Sequence, residues 1–309
     1  MSTIFTFWEP QGAVVPYVGL CMKTWARVLP AEDIVVLNYT NLREYVGNVL
    51  DVEMLRRVPL MVQKDAVMVA VLHRHGGGFL DADTLAVRDI APLLALLDGT
   101  EIVMFFLHIG FMAARPRARL LDRWLSLIND RLAALRQPAT DFLEIPSDYL
   151  GNSLLYAVMD DIIRSAARKP LPIAAVDLGI SLAQRLVRVD GRGSRFARLV
   201  NGVLWRRRIL YFRTRYRDYL TSLERDRYAF MPERLHDRRH PRVLADLADE
   251  YRRFWFESSA GVDRALRDDQ LLIALHNSWT PDWYKQLSER EVLAHPCLLS
   301  RTLRHLLGR

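Results

Sequence analysis

Runs and periodicities of apolar residues divide the chain into strand-like and helix-like stretches. Residues 4–8, Ile-Phe-Thr-Phe-Trp, favour extended backbone and are closed by Glu9-Pro10, which predicts a first strand. Over 16–28 the apolar spacing is helical, with Val18, Cys21, Met22 and Trp25 on one face. Residues 34–37 are a short apolar run read as a buried strand, and Asn41 is placed to cap the next helix. Residues 59–75 are apolar nearly all round, the pattern of an interior helix, with Pro59 in the first turn and Gly76 at the stop. His73, Arg74 and His75 occupy its last turn, where the helix dipole favours positive charge. Asp65 stands out, because a carboxylate on so apolar a helix needs a partner. Neighbouring helical positions do not face each other, so Lys64 is expected to point elsewhere and the partner to be a distant cation or a hydroxyl-rich ligand.

The stretch Gly76-Gly77-Gly78-Phe79-Leu80-Asp81-Ala82-Asp83-Thr84 follows. If 79–83 runs extended, Asp81 and Asp83 point to one side. Two close carboxylates repel, and a divalent cation shared with a ligand phosphate removes that cost. Hard oxygen donors suit Mg²⁺ or Mn²⁺. Further strands are expected over 102–106 and 111–114, and helices over 120–135 and 146–159. The order strand, helix, strand, helix, glycine turn and paired acids indicates an α/β fold with ligands at strand ends. Near the far end an apolar run, 271–275, leads into His276-Asn277-Ser278-Trp279, side chains that can ligate a metal, form hydrogen bonds and stack. Residues 282–309 read as one or two closing helices. Trp8, at a strand end, suits either a core or rim position or stacking on a flat ligand such as a base.

The 309 residues, half of them apolar, are enough for one large or two modest domains. Cys21 and Cys297 fit neither a metal spacing nor a disulfide framework, which points to a reducing compartment. Residues 1–10 lack the basic-then-apolar pattern of a signal peptide. The longest uncharged apolar stretch, 102–114, contains His108 and Gly110 and falls short of the roughly 18 residues of a membrane span. The net charge of +7 is concentrated: 185–217 holds eleven arginines and one acid, Asp190, so that segment carries +10 and the remainder −3. Residues 185–256, rich in arginine and aromatics, read as a basic, mainly helical insert. It would lie on anionic lipid, form a groove for an acidic polymer, or stand as a solvated, ion-paired segment. No zinc-finger or RNP-like motif accompanies the charge, so no nucleic-acid partner is expected.

Asp65, Leu72, Gly76-Gly77, Phe79, Asp81 and Asp83 resemble the S-D-x-x-R…L…G-G-x-[WY]-x-D-x-D core of the D-x-D glycosyltransferases. The nearest group is the transferases with a "sugar-binding region containing DXD" and the related capsular polysaccharide synthesis proteins. Phe7-Trp8 is similar to that group's first-strand tryptophan, 111–116 to the strand after its metal site, and His276-Asn277-Ser278-Trp279 to its C-terminal His/Asn…Ser-Trp. The likeness covers 1–160 and 265–285. It implies a GT-A-type, Rossmann-like nucleotide-sugar-binding domain over 1–184 and 257–309, with the insert 185–256 touching an acceptor or a membrane surface. It further implies a UDP- or GDP-linked donor, a glycan or lipid-linked acceptor, Mn²⁺ or Mg²⁺, and hexosyl transfer with retention in surface polysaccharide assembly. The place of work would be the cytoplasm or the inner face of the membrane.

By that resemblance Asp83 and His276 are metal ligands, and Asp81 contacts the donor and the metal. Ser278 touches the diphosphate, Trp279 and Gly77 line the donor pocket, Trp8 stacks on the base and Asp65 holds sugar hydroxyls. Asp269 is a candidate for orienting the acceptor. Three positions depart from the pattern: Met68 stands where the family has Arg, Lys64 where it has a small polar residue, and Gly78 where it has an apolar one. Two other readings compete. In a haloacid dehalogenase-like phosphatase Asp81 would be the nucleophile, Asp83 the acid/base and Lys169 the best second-site lysine, but the preceding stretch is glycine-rich rather than apolar. A non-catalytic carbohydrate- or membrane-binding module would account for Met68 and the basic insert.

Overall fold

The computed structural model describes residues 3–10, 12–29, 34–98, 101–105, 108–136, 145, 149–151, 154–155, 158, 173–175, 248–249, 251–266, 271–275 and 277–309. Over these the chain runs β1 (Ile4–Phe7), α1 (Pro16–Trp25), β2 (Ile34–Leu37), α2 (Leu42–Val46), α3 (Val52–Leu55), α4 (Leu60–His75), β3 (Gly77–Leu80) and β4 (Thr84–Ala86). It continues through α5 (Ala91–Ala95), β5 (Ile102–Phe105), β6 (His108–Ala114), α6 (Arg119–Ala134), β7 (Ile173–Ala175) and β8 (Leu272–Ala274). Three short helices, α7 (Asp282–Lys285), α8 (Glu289–Ala294) and α9 (Leu298–Leu307), close the chain where one or two were expected.

The protein is a mixed α/β structure around a six-stranded sheet of order β2-β1-β3-β6-β5-β7. β2, β1 and β3 are parallel, joined by helical crossovers, and β6 pairs antiparallel with both β3 and β5. Side-chain alternation sorts the two faces. Phe5, Phe79 and Met112 face α4 and α6, while Ile4, Leu80 and Phe111 face Trp25, Ile90 and Leu93. Helix α4 is buried on nearly every side, as its composition predicts. The strand at 34–37 is not the buried strand expected: among the described residues β2 is the sheet edge, only Leu37 of the strand is buried and Val36 is exposed. A short apolar run reads alike at an edge and at a centre.

A two-stranded antiparallel pair, β4 with β8, forms a second sheet and joins residues 84–86 to 272–274. Around it Tyr17, Val18 and Cys21 of α1 pack with Leu85, Ile273, Tyr284, Val292 and Leu299. Cys21 and Cys297 are both free and buried in this cluster. Trp25 Nε1 donates to Thr84 O at 2.7 Å, and Ala86 N–H donates to Thr24 Oγ1 at 2.9 Å, so α1 holds β4 in place.

Local expectations are refined in three places. Asn41 stands at the N-cap of α2 without a side-chain cap; its Oδ1 accepts from Asn38 N–H and its Nδ2 donates to Val36 O. The basic end of α4 does more than answer a dipole: Arg74 donates to Glu44 O and Tyr45 O, His75 meets Tyr45 O, and His73 meets Asp122 Oδ1 at 2.6 Å. Strand β5 ends at Phe105, and Phe106 lies outside the described residues, as do most of the helix expected at 146–159 and 185–247 of the basic insert. Among the described residues no helix is long and apolar enough to cross a membrane.

Candidate functional site

The parallel register fixes where the acids sit. Phe5 pairs with Phe79 and Phe7 with Leu37, so Trp8, Asn38 and Asp81 leave the sheet at one edge, the carboxyl ends of β1, β2 and β3. The chain order reverses between β1 and β3, and in open α/β sheets ligands bind beside such a reversal. Asp81 and Asp83 are not on an extended strand as expected. β3 stops at Leu80, Asp81 N–H donates to Gly110 O at 2.9 Å, and Thr84 N–H returns to Asp81 O at 3.0 Å. That contact closes a four-residue turn, and the turn rather than strand alternation brings the two carboxylates near each other.

The pairing of β4 with β8 then lays the distant tail on this turn. Leu275 N–H donates to Asp83 O at 3.2 Å, and Asn277 N–H donates to the Asp83 carboxylate, Oδ2, at 2.9 Å. Asn277 is held from the other side by Tyr17, whose hydroxyl donates to Asn277 Oδ1 at 2.5 Å and lies 3.2 Å from Thr280 Oγ1. Ser278 is exposed beside it, and Trp279 is half-buried with its ring edge-on to Tyr251. Trp8 is half-buried at the rim of the same cluster that Trp279 borders, and its backbone N–H donates to Leu37 O. The structure thus gathers Trp8, Asp81, Asp83, Ser278 and Trp279 around one edge. His276 and Asp269 lie outside the described residues.

Burial, and after it the charge of Asp81, raise the Asp83 pKa from 3.8 to about 7, against the opposing pull of the Asn277 N–H and Lys64. The Asp83 charge in turn adds to burial in raising Tyr17 and Cys21, which places α1 in the electrostatic reach of the turn.

Lys64 does not point elsewhere. Its Nζ is 2.8 Å from Asp65 Oδ1 and 2.9 Å from Asp81 Oδ1. The expectation treated adjacent helical residues as facing apart, but the lysine's four-carbon stem sweeps its charge around the helix to the acid. Burial alone would lower the Lys64 pKa; the two carboxylates outweigh it and raise it well above the ordinary lysine range. Asp65 is enclosed, with 8% of its side chain exposed against 24% for Asp81, so a sugar hydroxyl has little of it to reach. A Cβ at Gly151 would fall 1.9 Å from Asp65 Oδ2, so Gly151 is the wall that leaves room for this carboxylate.

Gly77 belongs elsewhere. It lies at the amino end of β3, one strand length from the acids, with φ +90° and a hypothetical Cβ 2.3 Å from Thr3 O. Its role is the close approach of β3 to the start of the chain, not contact with a donor.

No family model matches the chain, and no curated protein sequence matches it.

Among the described residues no group of three or more acidic, histidine or cysteine side chains is gathered to hold a metal. Asp81 and Asp83 are nonetheless a fitting pair for Mg²⁺ or Mn²⁺, which are commonly held by one or two carboxylates together with substrate phosphates. The raised Asp83 pKa marks a carboxylate short of positive charge, which a dication supplies. Sequence reasoning missed Lys64 as a partner, Tyr17 and Gly151. Met68, buried where the resemblance has Arg, was the signal that a charge for Asp65 had to come from elsewhere on α4.

Proposed function

We propose that this protein is a metal-dependent glycosyltransferase of the D-x-D type, with a GT-A-like core, that moves a sugar from a UDP- or GDP-linked donor to a glycan or lipid-linked acceptor. The observation that carries the reading is the hydrogen bond from Asn277 N–H to Asp83, which joins the D-x-D turn to Ser278 and Trp279 where β1 and β3 end. The nucleoside would lie towards Trp8 and the diphosphate towards Asp81, Asp83 and Ser278. A Mg²⁺ or Mn²⁺ held by the two acids would act as a Lewis acid on the departing diphosphate. The protein's own share is to hold both acids in a partly dry setting and to fix the tail beside them, so that donor and acceptor meet in one orientation. Transfer with retention, a role in surface polysaccharide assembly and work at the inner face of a membrane complete the proposal.

The test is thermal unfolding with UDP, GDP and phosphate analogues, each with and without Mn²⁺. A ligand at a hundredfold excess over its Kd stabilises the folded state by about 2.7 kcal/mol. UDP or GDP with Mn²⁺ should raise the melting temperature, and Asp83→Ala should abolish the rise. The Lys64–Asp81 contact would also suit Asp81 as a nucleophile towards phosphate esters. A response to phosphate analogues alone therefore replaces the transferase reading with the phosphatase. Nucleotide binding without turnover of a nucleotide-sugar replaces it with a binding module.

A further inference from the structure

Lys64 joins two carboxylates from different elements, Asp65 in its own helix and Asp81 in the turn after β3. The ammonium is therefore already seated on one of the two acids that would hold a divalent ion. Two cations sharing one carboxylate repel, so the lysine works against a metal ion arriving alone. The same ammonium would attract a diphosphate arriving at Asp81, and 22% of the lysine side chain and 24% of that of Asp81 are open to solvent.

We propose that Lys64 is a positioning residue that acts as the resident cation of this site, disfavouring a free divalent ion at Asp81 and favouring the nucleoside diphosphate, so that metal and nucleotide are taken up together. This rests on the transferase reading for its nucleotide half and on the ion-pair geometry alone for its metal half. Lys64 supplies, from the position before Asp65, the positive charge that the resemblance places three residues after it, where Met68 is buried.

The experiment titrates the full chain with Mn²⁺ alone, read by the electron paramagnetic resonance signal of free Mn²⁺, and with UDP or GDP alone, read by calorimetry. The proteins are wild type, Lys64→Met and Lys64→Arg. Removing the charge should tighten Mn²⁺ binding about tenfold and weaken nucleoside diphosphate binding about tenfold. Lys64→Arg should keep both near the wild-type values. A purely structural lysine would weaken both ligands together, and that result, or no change in either, overturns the proposal. Where Lys64→Met does not fold, Lys64→Gln is read the same way. In the wild type, Mn²⁺ must bind more tightly once UDP or GDP is present, and equal affinity with and without nucleotide also overturns it. Tightened Mn²⁺ binding in Lys64→Met, with no nucleotide bound by any of the proteins, supports the lysine's role at the acids and removes the transferase reading instead.

Discussion

Replacing Asp83 with asparagine should make the ligand-free protein more stable while ending its response to metal and nucleotide. Burial and the Asp81 charge raise the Asp83 pKa from 3.8 to about 7. Each pKa unit is worth about 1.4 kcal/mol, so keeping Asp83 ionised costs the fold at most about 4 kcal/mol. Asparagine carries no such cost, so its gain above pH 7 should approach about 4 kcal/mol. The sign follows from the protons. Between pH 4 and 7 the unfolded carboxylate is ionised while the folded one still holds its proton, so wild-type stability falls as pH rises through this window. Asparagine does not titrate and keeps an oxygen for the Asn277 N–H. Its advantage should be near zero below pH 4, roughly a third of full size at pH 5 and complete above pH 7. Thermal unfolding of the two proteins from pH 5 to 9 reads this directly, and about 4 kcal/mol corresponds to roughly 8 °C in a chain of this size. The same variant should show no melting shift with Mn²⁺ and UDP or GDP. A variant less stable than wild type at pH 8, or a gain independent of pH, would refute the reasoning.

Tyr17→Phe removes the hydroxyl that meets Asn277 and Thr280, and should lower stability by about 1–2 kcal/mol. Amide hydrogen exchange at Asn277 and Thr280 should speed up more than at β1, and equal protection of both regions in the two proteins counts against a tail held by this tyrosine. Gly77→Ala places a Cβ 2.3 Å from Thr3 O at φ +90° and should cost more than about 2 kcal/mol, measured by denaturant unfolding. The folded fraction should bind nucleotide as before, because Gly77 lies at the far end of β3 from the acids; lost affinity with unchanged stability would return Gly77 to the donor site.

Helix α4 was legible because its apolar residues leave no polar face, and β3 because glycines and two large apolar residues lead straight to the acids. Periodicity reports burial but not neighbours, which is why β2 read as interior although nothing pairs beyond it among the described residues. The proximity of Asp81 and Asp83 was expected on the wrong grounds. Alternation along a strand and a turn closed by Thr84 both bring residues two apart together, and spacing alone does not separate them. Lys64 was misplaced because the rule for helix neighbours describes Cβ directions, whereas a lysine's charge sits four carbons further out. The meeting of β4 with β8 joins residues nearly two hundred positions apart, and no local pattern in 84–86 or 271–275 names its partner. Tyr17 and Gly151 matter only through such long-range contacts, so nothing near them in the chain singles them out.

An acid kept where its charge is unwelcome must be held there by something else. Left to itself, Asp83 would turn towards water or be released by the turn, since a fold keeps an unfavourable group only when other contacts over-determine its place. Helix α1 supplies those contacts three times over: Trp25 on Thr84 O, Thr24 on Ala86 N–H, and Tyr17 on the side chain of Asn277, whose own backbone N–H donates to Asp83. None of these side chains needs to touch a ligand, yet Trp25 and Thr24 fix the backbone just after the acid and Tyr17 fixes the residue that donates to it. Hydrogen bonds of this kind contribute about 1 kcal/mol each, so the three together offset most of the roughly 4 kcal/mol that the ionised acid costs. Loosening α1 should therefore let Asp83 relax towards an ordinary carboxylate, and a Tyr17→Phe, Trp25→Phe double variant should shift the pH dependence of stability to lower pH, where a positioning role and a mere loss of stability part company.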